Sequence, residues 1–258
     1  MIHPSAFVSP LAKVPESACI GPWCVVDSDV TLGDNVVLES RVHVASGVTI
    51  GAGTVIYDGA ILGNRPQDLK YAGELTRLEV GENCTIREYC TLNRGTAATG
   101  LTFVGNDVLL MAYTHVAHDC YIGEGAVIAN GVQLGGHVRI GKFATIGGTT
   151  AVHQFCQVGA YSFVGGTLKV DRDVPPASKA LGNPLQWAGI NLHALRKFPE
   201  EFPLERIHAL ERAYRTLYRS GRPVATVAEE YKTSEESLLK DFFQSFRLLI
   251  PLDLKHIE

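Results

Sequence analysis

A period of six governs the first two thirds of this chain and narrows what it can fold into. Stepping by six from Ile2, the register passes through Val8, Val14, Ile20, Val26, Leu32, Leu38, Val44, Ile50, Ile56 and Leu62. It resumes at Val80, Ile86 and Leu92, and runs again from Val104 to Val170. Of the 29 positions in this register from 2 to 170, 26 hold Ile, Leu or Val. Glycine often follows the aliphatic, as at Gly21, Gly33, Gly51, Gly123, Gly141 and Gly159, and a small or β-branched residue stands four positions after it. A helix repeats every 3.6 residues and a simple strand every two. A period of six with glycine corners instead describes short strands joined by turns. The aliphatic side chain points inward and glycine tolerates the turn dihedrals. Stacked coils of this kind form a solenoid with a continuous aliphatic core.

Five of the six cysteines, Cys24, Cys84, Cys90, Cys120 and Cys156, fall in the small inward slot, and only Cys19 does not. They read as buried small side chains. Two segments leave the register, residues 63–79 and 97–103. A solenoid core gains nothing from such excursions, so they are free to carry function. The repeat closes at DVPPASKALGNP, which divides the chain into a β-solenoid over 1–175 and an α-helical domain over 176–258. Leu204, Ile207, Leu210, Ala213 and Leu217 recur at helical spacing, and Thr233-Ser234-Glu235-Glu236 fits a capping box for a last helix to about Leu249. The helical part carries Arg206, Arg212, Arg215, Arg219 and Arg222, which read either as a solvated face or as one that meets an acidic partner. The formal net charge of −4 gives no basic excess for nucleic acid. The first residues have no basic-then-apolar leader, and no apolar run approaches the roughly 20 residues of a membrane span. A cytoplasmic protein without membrane insertion is expected.

The segment MAYTHVAHDC, residues 111–120, places His115, His118 and Asp119 within five positions. If one coil takes 18 residues, residues 18 apart stack about 4.8 Å apart. His118 then stacks with Gly136 and Gln154, and Asp119 with His137. His115, His118, Asp119, His137 and His153 should share one edge over three coils, outside the core. An imidazole there suits general base catalysis, with a carboxylate to orient it. Neighbours on a strand point to opposite sides, so pairing His118 with Asp119 requires a turn at that corner. The Gly136 N–H, one coil on, could hold a developing oxyanion. Imidazoles could instead ligate zinc.

The hexapeptide pattern resembles the left-handed parallel β-helix of the hexapeptide acyltransferases, in which three hexapeptides close one triangular coil. Handedness and triangle are what the resemblance implies. The motifs QDLKYAGE, NRGT, HVAHDC, GGHV, AVHQFC, DVPP and GNP, in this order, are similar to those of the UDP-N-acetylglucosamine O-acyltransferase family. The likeness implies a mainly β fold with a C-terminal helical domain. It implies transfer of a 3-hydroxyacyl chain from acyl carrier protein to the 3-position of the UDP-sugar, in the first step of lipid A biosynthesis. By the same resemblance the protein is a homotrimer with sites between subunits and needs no metal; the acyl donor rides on the phosphopantetheine of acyl carrier protein. His118 would be the base, Asp119 its partner and Gly136 the oxyanion donor. Gln67, Asp68 and Lys70 would hold the sugar nucleotide, with His115, His137, His153 and Gln154 lining the cleft. Asn191, Arg196 and Lys197 would contact the nucleotide, and Gly166 would set acyl length.

Two departures stand out. The family reads I-H-R-G-T where this chain has Leu92-Asn93-Arg94-Gly95-Thr96, and the family's basic run ends in Gly-Phe where this one continues Arg196-Lys197-Phe198-Pro199. They leave a 3-amino analogue of the sugar open as the acceptor. The γ-type carbonic anhydrases share the solenoid and bind metal through three histidines, typically with an H-x4-H pair; here the pair is H-x2-H. A related N-acyltransferase and a non-catalytic scaffold are the remaining alternatives.

Overall fold

A computed structural model describes residues 1–222, 226–227 and 230 of the chain. The six-residue register becomes three flat parallel faces that the chain visits in strict rotation. The first face stacks nine strands from Phe7–Val8 to Lys169–Val170, and the second stacks seven from Val30–Leu32 to Gln157–Val158. The third stacks eight from Cys19–Ile20 to Phe163–Val164, then adds Ser178–Leu181 in parallel and Gln186–Ile190 antiparallel. The coils wind as a left-handed parallel β-helix.

Pairing is 18 residues apart wherever the repeat is unbroken, as in Val8 with Val26 and Val116 with Leu134. Across the first excursion Ile50 pairs with Val80, 30 positions on, and across the second Val80 pairs with Val104, 24 positions on. The insertions therefore add two hexapeptides and one. That is why the aliphatic phase survives both, and why its three empty slots, Asp68, Glu74 and Ala98, all fall inside them. Side chains in the aliphatic slot are almost wholly removed from water, among them Ile56, Leu92, Val116, Ile128 and Ile146. Full burial of each such side chain is worth about 1.5–3 kcal/mol. The five slot cysteines are buried and Cys19 is exposed. Burial pushes the Cys90 thiol up to about 11 and Cys120 to about 12. Neither supplies a thiolate near neutral pH.

Most turns between faces hold one residue in the left-handed region. Between the first and second faces these residues include Gly47, Asp119, His137 and Phe155. Two helices follow the solenoid among the described residues, α1 (Leu192–Leu195) and α2 (Leu204–Arg219). They cover the edge between the second and third faces. Phe198 and Phe202 pack on Phe143 and Tyr161, and Ile207, Leu210, Ala213, Tyr214 and Leu217 are buried. The expected last helix at 233–249 lies outside the described residues.

Candidate active site

The edge between the first and second faces collects what the other two edges lack. Both excursions leave it, between Asn64 and Arg77 and between Asn93 and Leu101. The next three turns there carry His118-Asp119, Gly136-His137 and Gln154-Phe155. The corner at Asp119 has φ 59°, which turns two neighbouring side chains toward each other. His118 Nδ1 lies 2.7 Å from Asp119 Oδ2.

Asp119 is the most constrained group in the site; its side chain is fully buried. Oδ1 accepts from the Thr96 N–H at 3.0 Å and from the Thr99 hydroxyl; Oδ2 accepts from the Thr96 hydroxyl at 2.7 Å and from His118. Its own N–H donates to Thr102 Oγ1 at 2.8 Å. Burial alone would raise the carboxyl, but hydrogen bonds from Thr99, His118 and Thr96 outweigh it and hold Asp119 at about 2. An ionised carboxylate only accepts, so Nδ1 of His118 carries the hydrogen, and in the neutral ring Nε2 is the nitrogen with the lone pair.

Gly136 is required by the closeness of that ring. A Cβ there would lie 2.7 Å from His118 Nε2 and 2.6 Å from Cε1. Its carbonyl accepts from the Phe155 N–H, while its own N–H makes no hydrogen bond among the described residues. His137 stands edge-on to His118 with centroids 5.1 Å apart and stacks on Phe155 at 4.5 Å. Its Nε2 is 3.8 Å from Asp119 Oδ2.

The structure thus brings His118, Asp119, Gly136 and His137 together. His115 flanks them from the neighbouring strand, half-buried, with Nδ1 2.8 Å from Thr91 Oγ1; burial lowers its pKa. His153 and Gln154 are exposed one coil further on, His153 Nδ1 lying 3.0 Å from the Gln154 carbonyl. Gln67, Asp68 and Lys70 lie in the first excursion, where Asp68 Oδ1 accepts from the Lys70 N–H at 2.9 Å. Gly166 lies on a different edge, between the third and first faces. Asn191 is buried at the edge between second and third faces, where its amide donates to the Tyr161 carbonyl at 2.9 Å and its side chain caps α1. Arg196 and Lys197 follow it, exposed. The sequence reasoning missed Thr96, Thr99 and Phe155. Phe155 was available from the 18-residue step beyond His137. Thr99 was not, because its excursion runs out of register.

His118, Asp119 and His137 could present three ligand atoms within 4.8 Å of one another. The donor set argues against a cation, because all four acceptor positions of Asp119 are already taken. What the arrangement can do is accept a proton at His118 Nε2 beside a free N–H donor.

A hexapeptide prism with an oriented imidazole at one edge defines the class as a hexapeptide-repeat transferase. The bacterial transferase hexapeptide family model matches residues 29–64 and 102–136, and the model for domain 2 of Udp N-acetylglucosamine O-acyltransferase matches 173–248. An acyl-[acyl-carrier-protein]–UDP-N-acetylglucosamine O-acyltransferase of Verminephrobacter eiseniae is 42% identical over 221 residues, 85% of this chain and 84% of that one. The structure of LpxA from Acinetobacter baumannii is 37% identical, with a TM-score of 0.88 over 95% of this chain and 96% of that one. That of the UDP-N-acetylglucosamine O-acyltransferase of Moraxella catarrhalis is 40% identical, with a TM-score of 0.87 over the same shares. The chain belongs to the acyl-[acyl-carrier-protein]–UDP-N-acetylglucosamine O-acyltransferase family.

Proposed function

We propose that this protein moves a 3-hydroxyacyl chain from the phosphopantetheine thioester of acyl carrier protein to the 3-hydroxyl of UDP-N-acetylglucosamine, the first step of lipid A biosynthesis. The carrying observation is the 2.7 Å bond from His118 to a saturated, ionised Asp119. His118 Nε2 takes the proton of the sugar hydroxyl as its oxygen attacks the thioester carbonyl. Asp119 holds the tautomer and stabilises the imidazolium that forms. The Gly136 N–H receives the oxyanion of the tetrahedral intermediate. The intermediate collapses by breaking the C–S bond, and the pantetheine sulfur leaves with the proton from His118. Gln67, Asp68 and Lys70 hold the sugar nucleotide, His115, His137, His153 and Gln154 line the cleft, and no metal or resident cofactor takes part.

Gly166 and the group Asn191, Arg196 and Lys197 lie on edges of the prism other than that of His118. A homotrimer with sites between subunits reunites them, Gly166 facing the acyl end and the other three the nucleotide. Among the described residues no helix is long and apolar enough to cross a membrane, which suits a cytoplasmic enzyme drawing on a soluble carrier. The same machinery acylates a 3-amino analogue if one is supplied. Asn93 stands at a departure from the family pattern, and its Oδ1 is buried without a hydrogen-bond partner among the described residues.

The test is purified protein with a panel of acyl carrier thioesters and both nucleotide sugars, read by mass spectrometry. O-acylated UDP-N-acetylglucosamine is the expected product; its absence, with or without N-acylation of the analogue, overturns the O-acyl reading. For the shared site, co-expressed His118→Ala and Arg196→Ala subunits should recover activity that neither variant shows alone. Failure to recover it counts against sites built by two subunits.

A further inference from the structure

The segment from Phe198 to Arg206 crosses the second-to-third edge and roofs a cleft of about 370 Å³ on the outer surface of the second face. Its charged lining is Arg139, Lys142, Arg206 and Glu201, with Tyr121 and Tyr161 as aromatic walls. Glu201 is already engaged: the Tyr161 hydroxyl donates to it at 2.6 Å and Lys142 Nζ lies 3.1 Å away. The remaining cations are underused. Arg139 lies over the Tyr121 ring at 5.0 Å and meets no carboxylate among the described residues. Arg206 lies over Phe202 at 5.0 Å and donates through Nη1 to the Glu201 backbone carbonyl at 2.8 Å, yet its Nε is buried with no acceptor. Arg206 also stands in the first turn of α2, where the helix dipole disfavours a cation. A buried donor without a partner and three cations against one occupied carboxylate call for an anion.

We propose that this cleft binds a phosphate ester, held by the guanidinium groups of Arg139 and Arg206 with Lys142 alongside. Planar guanidinium forks match phosphate oxygens, and the aromatic walls suit the organic part of such a ligand. The cleft adjoins the reacting edge within one chain: Tyr121 and Arg139 open the strands that follow the Asp119 and His137 corners, two residues on from each. Two sources of that chemistry follow from the function proposed above, on which this part of the inference rests: the diphosphate of the nucleotide sugar and the phosphate of the pantetheine arm.

The test uses the full chain, with inorganic pyrophosphate as probe in calorimetry, on wild type, Arg139→Gln, Arg206→Gln and Arg206→Lys, each checked for an unchanged thermal midpoint. Wild type should bind, each Gln variant should bind about tenfold more weakly, Arg206→Lys should fall between, and salt should weaken all of them. No binding to wild type at millimolar pyrophosphate, or binding as tight as wild type by both Gln variants, overturns the site. Transfer kinetics then assign the source. A raised KM for the nucleotide sugar marks the diphosphate and a raised KM for the acyl donor marks the pantetheine phosphate, each with kcat held. If both KM values hold while pyrophosphate binding is lost, the site stands and its ligand is a separate effector. Wild-type turnover is measured independently, so loss of the site and loss of the proposed activity are told apart.

Discussion

The edge between the first and second faces and the edge between the third and first are built on the same turn. Asn130, Gly131 and Gly148 occupy on one edge the slots that His118, Asp119 and Gly136 occupy on the other, and Asp119 and Gly131 share the left-handed corner conformation. Backbone geometry therefore does not distinguish the reactive edge. Two things do. Its corners hold groups that can exchange or stabilise a proton, and the neighbouring coils depart from the repeat to supply Thr96 and Thr99. The solenoid is a ruler on which any edge could have been the site, and the excursion selects which one is.

The comparison is broken most directly at its first slot. His118→Ala should lower acyl transfer about 10²–10⁴-fold, whereas Asn130→Ala, the same slot on the other edge, should stay within a few-fold. Equal losses in kcat would end the distinction between the edges. Next come the glycines. Gly136→Ala drives a methyl into the His118 ring and should cost up to about 10²-fold in kcat; at Gly148, one coil before Gly166, the nearest atom to a new Cβ is the Asn130 carbonyl oxygen at 3.3 Å, so the His118 ring is untouched and any change should fall on acyl-chain length rather than on kcat. A crystal structure of Gly136→Ala with the His118–Asp119 bond unchanged would contradict the mechanism of that loss.

Acid should unmake one edge only. Asp119 has a folded pKa of about 2, below the roughly 3.9 of an unfolded aspartate. Its contribution, roughly 2 kcal/mol, is therefore complete above about pH 4 and disappears as pH falls through 2. Denaturant unfolding of wild type and Asp119→Asn across pH 5 to 2 should show curves that converge toward the acid end. Parallel curves would place the acid sensitivity elsewhere. The smallest effect is expected from Thr99→Val, which removes one of four hydrogen bonds to the buried carboxylate. It should lose about 0.5–1.5 kcal/mol of stability and raise the Asp119 pKa, measured by carboxyl NMR titration.

Much of this was legible before any coordinates. The six-residue phase runs through both excursions because they add whole hexapeptides, so strand positions, core residues and the fate of the cysteines all follow from counting. The stacking of His118, Asp119, Gly136 and His137 follows as well, since each lies one turn or one 18-residue step from the next. The need for a corner at Asp119 was visible because neighbours on a strand diverge. The capture of Asp119 by Thr96 and Thr99 was not visible. An excursion leaves the register, and the landing point of a side chain within it depends on contacts rather than on spacing.

The sequence by itself determined a repeating coil and its buried slot, because periodicity fixes them without reference to the rest of the molecule; which residues share an edge followed once the resemblance gave 18 residues to a coil. Only the tertiary structure decided that Asp119 is saturated and ionised, that Asn191 and Gly166 stand on other edges than His118, and that residues 198–206 roof a basic cleft. Those outcomes depend on where non-repeating segments pack, and packing is a property of the assembled surface that no interval along the chain encodes.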